Sequence, residues 1–109
     1  MTQYEGLVTA LKGSGIAFAE YGWATRPASD FGVVALDIGA GKTDTDNGTR
    51  CEVHEGTVDL YMHGRTDTEI ATVKALLEAH CGASWELNSV QYEEETGLLH
   101  YEWVFRVTK

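Results

Sequence analysis

Positive charge is what this chain lacks most: among 109 residues Lys and Arg number 8 against 17 Asp and Glu, a formal net charge of −9. Proteins that grip nucleic-acid backbone draw most of their affinity from Lys and Arg neutralising phosphates, so that class is excluded, and free DNA is repelled. Proline occurs once, as Pro27, and no linker divides the chain. The two cysteines, Cys51 and Cys81, have no metal-type spacing. The opening MTQYEGLV has neither the basic start nor the apolar core of a signal peptide. Synthesis in a reducing cytoplasm, with both thiols reduced, is therefore expected. No apolar run exceeds a few residues around positions 33–36, far below what spans a bilayer, and no membrane partner is expected. No Ser or Cys lies in a glycine-flanked nucleophile turn, so no catalytic residue is assigned.

What is present is a change of hydrophobic period within residues 57–80. Val58, Leu60 and Met62 alternate with Asp59, Tyr61 and His63, the period of two that lays one apolar row on the covered face of a sheet. Thr66 with Glu69 then reads as a capping box opening a helix. Ile70, Val73, Leu76 and Leu77 form its apolar stripe, aimed at that sheet face, and Gly82 closes it. Upstream, Tyr4, Leu7, Val8 and Leu11 share one helical face over residues 2–12, with Thr2 a possible cap and Gly13-Ser14-Gly15 a stop.

Strands are predicted at 16–21, 31–38, 51–63, 85–94 and from Leu99 onward. Gly56 inside the third suggests a bulge or bend, and the slip of apolar phase between Leu87 and Val90 suggests a bulge in the fourth. Trp23 and Pro27 fall in a loop over 22–30. The order α-β-β-β-α-β-β describes an α+β two-layer sandwich, an antiparallel or mixed sheet of about four to five strands with both helices on one face. The uncovered face mixes Tyr61, His63, His100, Glu102, Val104 and Arg106, the character of a subunit interface.

Several motifs fail on inspection. Gly39-Ala40-Gly41-Lys42-Thr43 lacks the earlier glycine of a phosphate loop, since Leu36 stands there, and it leads to a strand instead of a helix. Asp44-Thr45-Asp46-Asn47-Gly48 has Thr49 where a calcium loop needs glycine. The four histidines and two cysteines offer no zinc spacing, so neither metal nor cofactor is assigned. The polar stretch GAGKTDTDNGTR over 39–50 is too poor in apolar residues to build a core and is expected to be a loop that orders against a partner. Lys42, Thr43, Asp44, Thr45, Asp46, Asn47 and Gly48 are its candidate contacts.

The order of elements and several residues resemble the tail completion, or tail terminator, proteins of long-tailed bacteriophages and prophages. The residues that carry this are Tyr21-Gly22-Trp23 with Pro27, Phe31, Asp46-Asn47, Leu60-Tyr61, Leu76-Leu77 and the final aromatic strand Tyr101, Trp103, Phe105. Together they span nearly the whole chain. The resemblance implies a structural virion protein, made in the bacterial cytoplasm, that caps the tail tube as a hexameric ring and offers the head–tail joining surface. The partners implied are further copies of itself, the tail tube protein and a head–tail connector protein, with DNA passing through unbound. Trp23, Arg26, Phe31 and Tyr61 are the candidate subunit interface, and Glu93, Glu94 and Glu95 the candidate acidic lumen. The alternatives are a small ligand-binding module or enzyme on a ferredoxin-like sheet, or another head–tail connector or stopper.

Overall fold

The computed structural model describes residues 2–37, 42–46 and 49–108. The elements are α1 (Gln3–Lys12), β1 (Ala17–Glu20), β2 (Phe31–Leu36), β3 (Lys42–Asp46), β4 (Thr49–Met62), α2 (Asp67–Cys81), β5 (Trp85–Glu93) and β6 (Leu98–Thr108). The main sheet runs β1-β2-β4-β6-β5, with β3 paired to β4 outside that path. It is mixed: β1 is parallel to β2, and the other pairings are antiparallel. The expected α+β class and the expected order of two helices and five strands are both found, with β3 as an additional short strand.

Period decides what each strand buries. Along β6, Tyr101, Trp103, Phe105 and Val107 point inward, and they face Val58, Leu60 and Met62 of β4 and Val34 of β2. Leu7, Val8 and Leu11 of α1 and Ile70, Val73, Leu77 and Cys81 of α2 complete one hydrophobic cluster on that face. Helix α1 starts on a full capping box, the Thr2 hydroxyl accepting from the Glu5 amide at 3.1 Å while Glu5 Oε1 accepts from the Thr2 amide at 2.8 Å. Gln3 clamps it down, accepting from the Thr108 amide at 2.7 Å and donating to the His80 carbonyl at 3.2 Å.

Three local expectations are corrected. Gly56 makes no bulge; its register with β2 and β6 is unbroken, and it sits where an added Cβ would lie 2.4 Å from the Ala35 carbonyl oxygen and 2.5 Å from Phe105 Cζ. The glycine makes room for a ring. Lys42, Thr43, Asp44, Thr45 and Asp46, expected as loop, form β3; Asn47 and Gly48 lie outside the described residues. A short strand of polar residues has no apolar alternation by which a sequence pattern could mark it. Thr66 stands at the N-cap of α2, yet its side chain makes no capping hydrogen bond. The expected bulge in β5 is present, a register shift between Leu87 and Ser89.

Replacing Gly56 by Ala should cost about 1–3 kcal/mol, because the methyl group meets backbone on one side and a packed ring on the other. Gly64, with nothing within 4 Å of an added Cβ, serves as the control and should shift stability by no more than about 0.5 kcal/mol. Urea unfolding midpoints of the two variants check this; equal midpoints would disprove the tight packing.

Candidate functional site

The loop between β1 and β2 positions the candidate site. Parallel neighbours require the chain to travel back along the sheet between them, and residues 21–30 make that return over the face opposite the helices. Tyr21 turns the corner at φ 67°, a left-handed conformation that is strained for a bulky side chain, and its amide donates to the Val34 carbonyl at 2.9 Å. Trp23 Nε1 donates to the Gly32 carbonyl at 3.0 Å, which fixes the descending limb.

Arg26 then lies over two rings, 5.4 Å from the centre of Phe31 and 4.9 Å from that of Tyr61. Phe31 and Tyr61, cross-strand partners, stack at 4.8 Å, and Tyr61 stacks on His100 at 4.2 Å. His100 Nε2 lies 2.7 Å from Asp59 Oδ1. Burial, with the Asp59 carboxylate beside it, pushes the Tyr61 hydroxyl above its ordinary value of 10.0. Arg26 also reaches Glu93 at 3.7 Å. Arg26, Phe31 and Tyr61 are thus gathered in one place, Phe31, 1% exposed, supporting the patch from beneath, while Trp23 is held to the Gly32 carbonyl. Glu93, expected with Glu94 and Glu95 as a separate acidic row, belongs to the same patch through Arg26, while Glu94 and Glu95 are exposed at the turn before β6. An open depression of about 530 Å³ is lined by Arg26, Glu93, Glu94, Glu95 and Thr96.

The loop ends on Asp30, which gathers four groups that are distant in sequence. Its Oδ1 accepts from the His63 amide at 2.9 Å and lies 3.0 Å from His63 Nδ1; its Oδ2 accepts from the Thr66 hydroxyl at 3.4 Å. The fourth group is the Glu69 carboxyl. Both members of the expected capping box are therefore drawn to Asp30 instead of to the helix amides. Burial, then the hydrogen bond and the charge of Asp30, push Glu69 up from 4.5 to about 7. For Asp30 burial works upward, but hydrogen bonds from Glu69 and from the backbone and ring of His63 prevail and hold it below 3.8.

The rest of the candidate chemistry is structural. The Glu55–Arg106 pair at 3.0 Å and the Asn88–Glu102 hydrogen bond at 2.6 Å satisfy polar groups of the uncovered face within the subunit. Among the described residues, no group of three or more His, Cys, Asp or Glu is placed to hold a metal ion. Cys81 is buried, and burial pushes its thiol up to about 11, which leaves it protonated and unreactive at neutral pH. No helix among the described residues is long and apolar enough to cross a membrane. Sequence reasoning missed Leu87, Val90 and Tyr92, all exposed on β5. The phase slip already noted between Leu87 and Val90 was the available signal, since it keeps the three on one side.

The Asp30–Glu69 contact makes stability depend on pH. Glu69, raised in the folded state, contributes stability that is complete below about pH 4.5 and drains away as pH rises through about 7. Asp30, lowered, contributes above 3.8 and loses its contribution as pH falls through its depressed folded-state value. Between pH 5 and pH 8 the wild type should therefore lose stability relative to Glu69→Gln, whose amide can donate to Asp30 at both. Urea midpoints of the two proteins at the two pH values give the difference; a constant offset would show that Glu69 does not share a proton with Asp30.

No family model and no curated protein matches the chain. Among solved structures, the fold is similar to that of a chain in the virion of a native gene transfer agent particle, with a TM-score of 0.64 and 15% identity over 98% of this chain and 93% of that one.

Proposed function

We propose that this chain is a structural virion subunit of the tail-terminator kind, closing with copies of itself into a hexameric ring on the end of a tail tube and presenting a surface to the head–tail connector. The observation that carries the reading is the end-to-end fold likeness to a chain of a virion particle. The pattern of residues resembling tail terminators adds to it.

The surfaces suit a contact protein. The Arg26–Phe31–Tyr61–His100 ladder is stacked across the sheet with Glu93 beside it, and the depression next to it is open, which favours docking against a neighbour over enclosing a small molecule. The β3–β4 ribbon is a second device. Beyond Val53, the last β4 residue paired with β6, the ribbon continues with β3 as its partner among the described residues, and it contributes to a molecule 49 Å long and 25 Å wide. An isolated two-stranded ribbon is marginal in water, so such an arm gains by lying on a tube, a connector or another copy. Glu94 and Glu95, exposed at a tight turn, would line the bore and repel passing DNA.

Subunits carrying a net charge of −9 repel one another until salt screens them, over about 10 Å at 0.1 M. Sedimentation should show association strengthening as salt rises, and electron microscopy should show rings on added tail tubes. Arg26→Ala should weaken tube capping at least about tenfold while changing stability by no more than about 1 kcal/mol, the worth of an exposed ion pair with its cation–ring contact. A chain that stays monomeric at all salt concentrations and ignores tubes, or that binds DNA more weakly as salt rises, would overturn the reading.

A further inference from the structure

Strand β5 is the edge of the sheet next to β6, and it departs from the usual protection of edges. Of the four large hydrophobic residues exposed among the described residues, three lie on it: Leu87 at 49%, Val90 at 45% and Tyr92 at 64%. They fall on one side. Leu87, Val90 and Tyr92 pair with Trp103, Tyr101 and Leu99, residues that face or pack against the core. Plain alternation from Leu87 would turn Val90 and Tyr92 to the opposite face, and the bulge at Asn88 brings them back. The row therefore exists because of the bulge. Helix α2 covers only its start, where Trp85 Nε1 donates to Glu78 at 2.7 Å.

The opposite side of the same edge is acidic. Glu86, Ser89, Gln91 and Glu93 alternate there, with Glu102 opposite Ser89. From residue 75 through 105 the chain has no Lys or Arg, against Glu78, Glu86, Glu93, Glu94, Glu95 and Glu102. Lysines are a common guard of edge strands, and here acids stand in their place.

We infer that β5 is a strand-addition edge for an extended segment of another protein, apolar at alternate positions and carrying Lys or Arg between them. The open backbone edge selects an extended chain, the row Leu87, Val90, Tyr92 selects apolar side chains on one side, and Glu86, Glu93 and Glu102 select cations on the other. A second copy's β5 is a poor occupant, since it would bring Glu86 and Glu93 against like charges. The inference does not need the ring reading, because the row Leu87, Val90, Tyr92 lies on the helix side of the sheet, whereas the Arg26 patch, which shares Glu93 with this edge, lies on the other side.

The probes are blocked heptapeptides, one alternating Val with Lys and one alternating Val with Glu, titrated into the full chain and followed by amide NMR and amide exchange. The lysine peptide should bind at least tenfold more tightly than the glutamate peptide and protect β5 amides. Val90→Lys, a change at an exposed position, should abolish binding without altering the unfolding midpoint. Glu86→Gln with Glu93→Gln should bring the two peptides within about threefold of each other. Equal binding of both peptides, shifts centred on residues 21–30 instead of β5, no binding at millimolar peptide, or self-association lost in Val90→Lys would each overturn the inference.

Discussion

The contact on which most of the structure depends is the seating of Phe105 against the bare backbone of Gly56. A side chain at position 56 would press on the ring and on the Ala35 carbonyl and strain the packing in which β2, β4 and β6 place Val34, Val58 and Trp103 on one covered face. The same device recurs one strand away, where the Phe18 ring fills the space beside Gly32. In both places a large aromatic residue and a glycine on adjacent strands share the volume of two ordinary side chains. This lets two short helices cover a sheet with an apolar layer thin enough for 109 residues to supply.

The two faces of the sheet follow different rules. On the helix side shape decides, and the cluster is hydrophobic from Leu7 to Val107. On the other side charge and stacking decide: Arg26 lies on Phe31 and Tyr61, His100 on Tyr61, with Asp59 and Glu93 as counter-charges. A surface so connected is held by its own stacked rings and ion pairs. Asp30 extends these connections to the first turn of α2 through His63 and Thr66, so the loop, the end of β4 and the helix move together.

Legibility in the sequence tracked how local each signal was. The rows of β6 and β4, the stripe of α2 and the phase slip of β5 are periodic over a few residues and were readable as such. The role of Gly56 was misread, because a glycine in a strand signals close approach as well as it signals a bulge, and only Phe105, 49 positions away in the chain, decides between them. Thr66 and Glu69 have the spacing of a capping box but answer to Asp30, which lies 36 residues before Thr66. β3 was read as loop since Lys42 to Asp46 carry no apolar alternation, and their pairing with β4 is a backbone matter. For the candidate site, the joining of Arg26 to Phe31, Tyr61 and Glu93 needed the crossover path of the loop, which no local pattern encodes.

Asn88 has a consequence for solubility. As the inserted residue of the β5 bulge, pinned by its amide to Glu102, it aligns the apolar row and at the same time kinks the strand that bears it. A straight strand with that row and no lysine would leave the like charges of Glu86 and Glu93 as the remaining guard against pairing between identical chains. The kink is thus a second guard on the same edge. With Asn88 the strand is kinked where its apolar row begins; a deletion there would leave Leu87, Ser89, Val90 in plain alternation, its row intact and its kink gone.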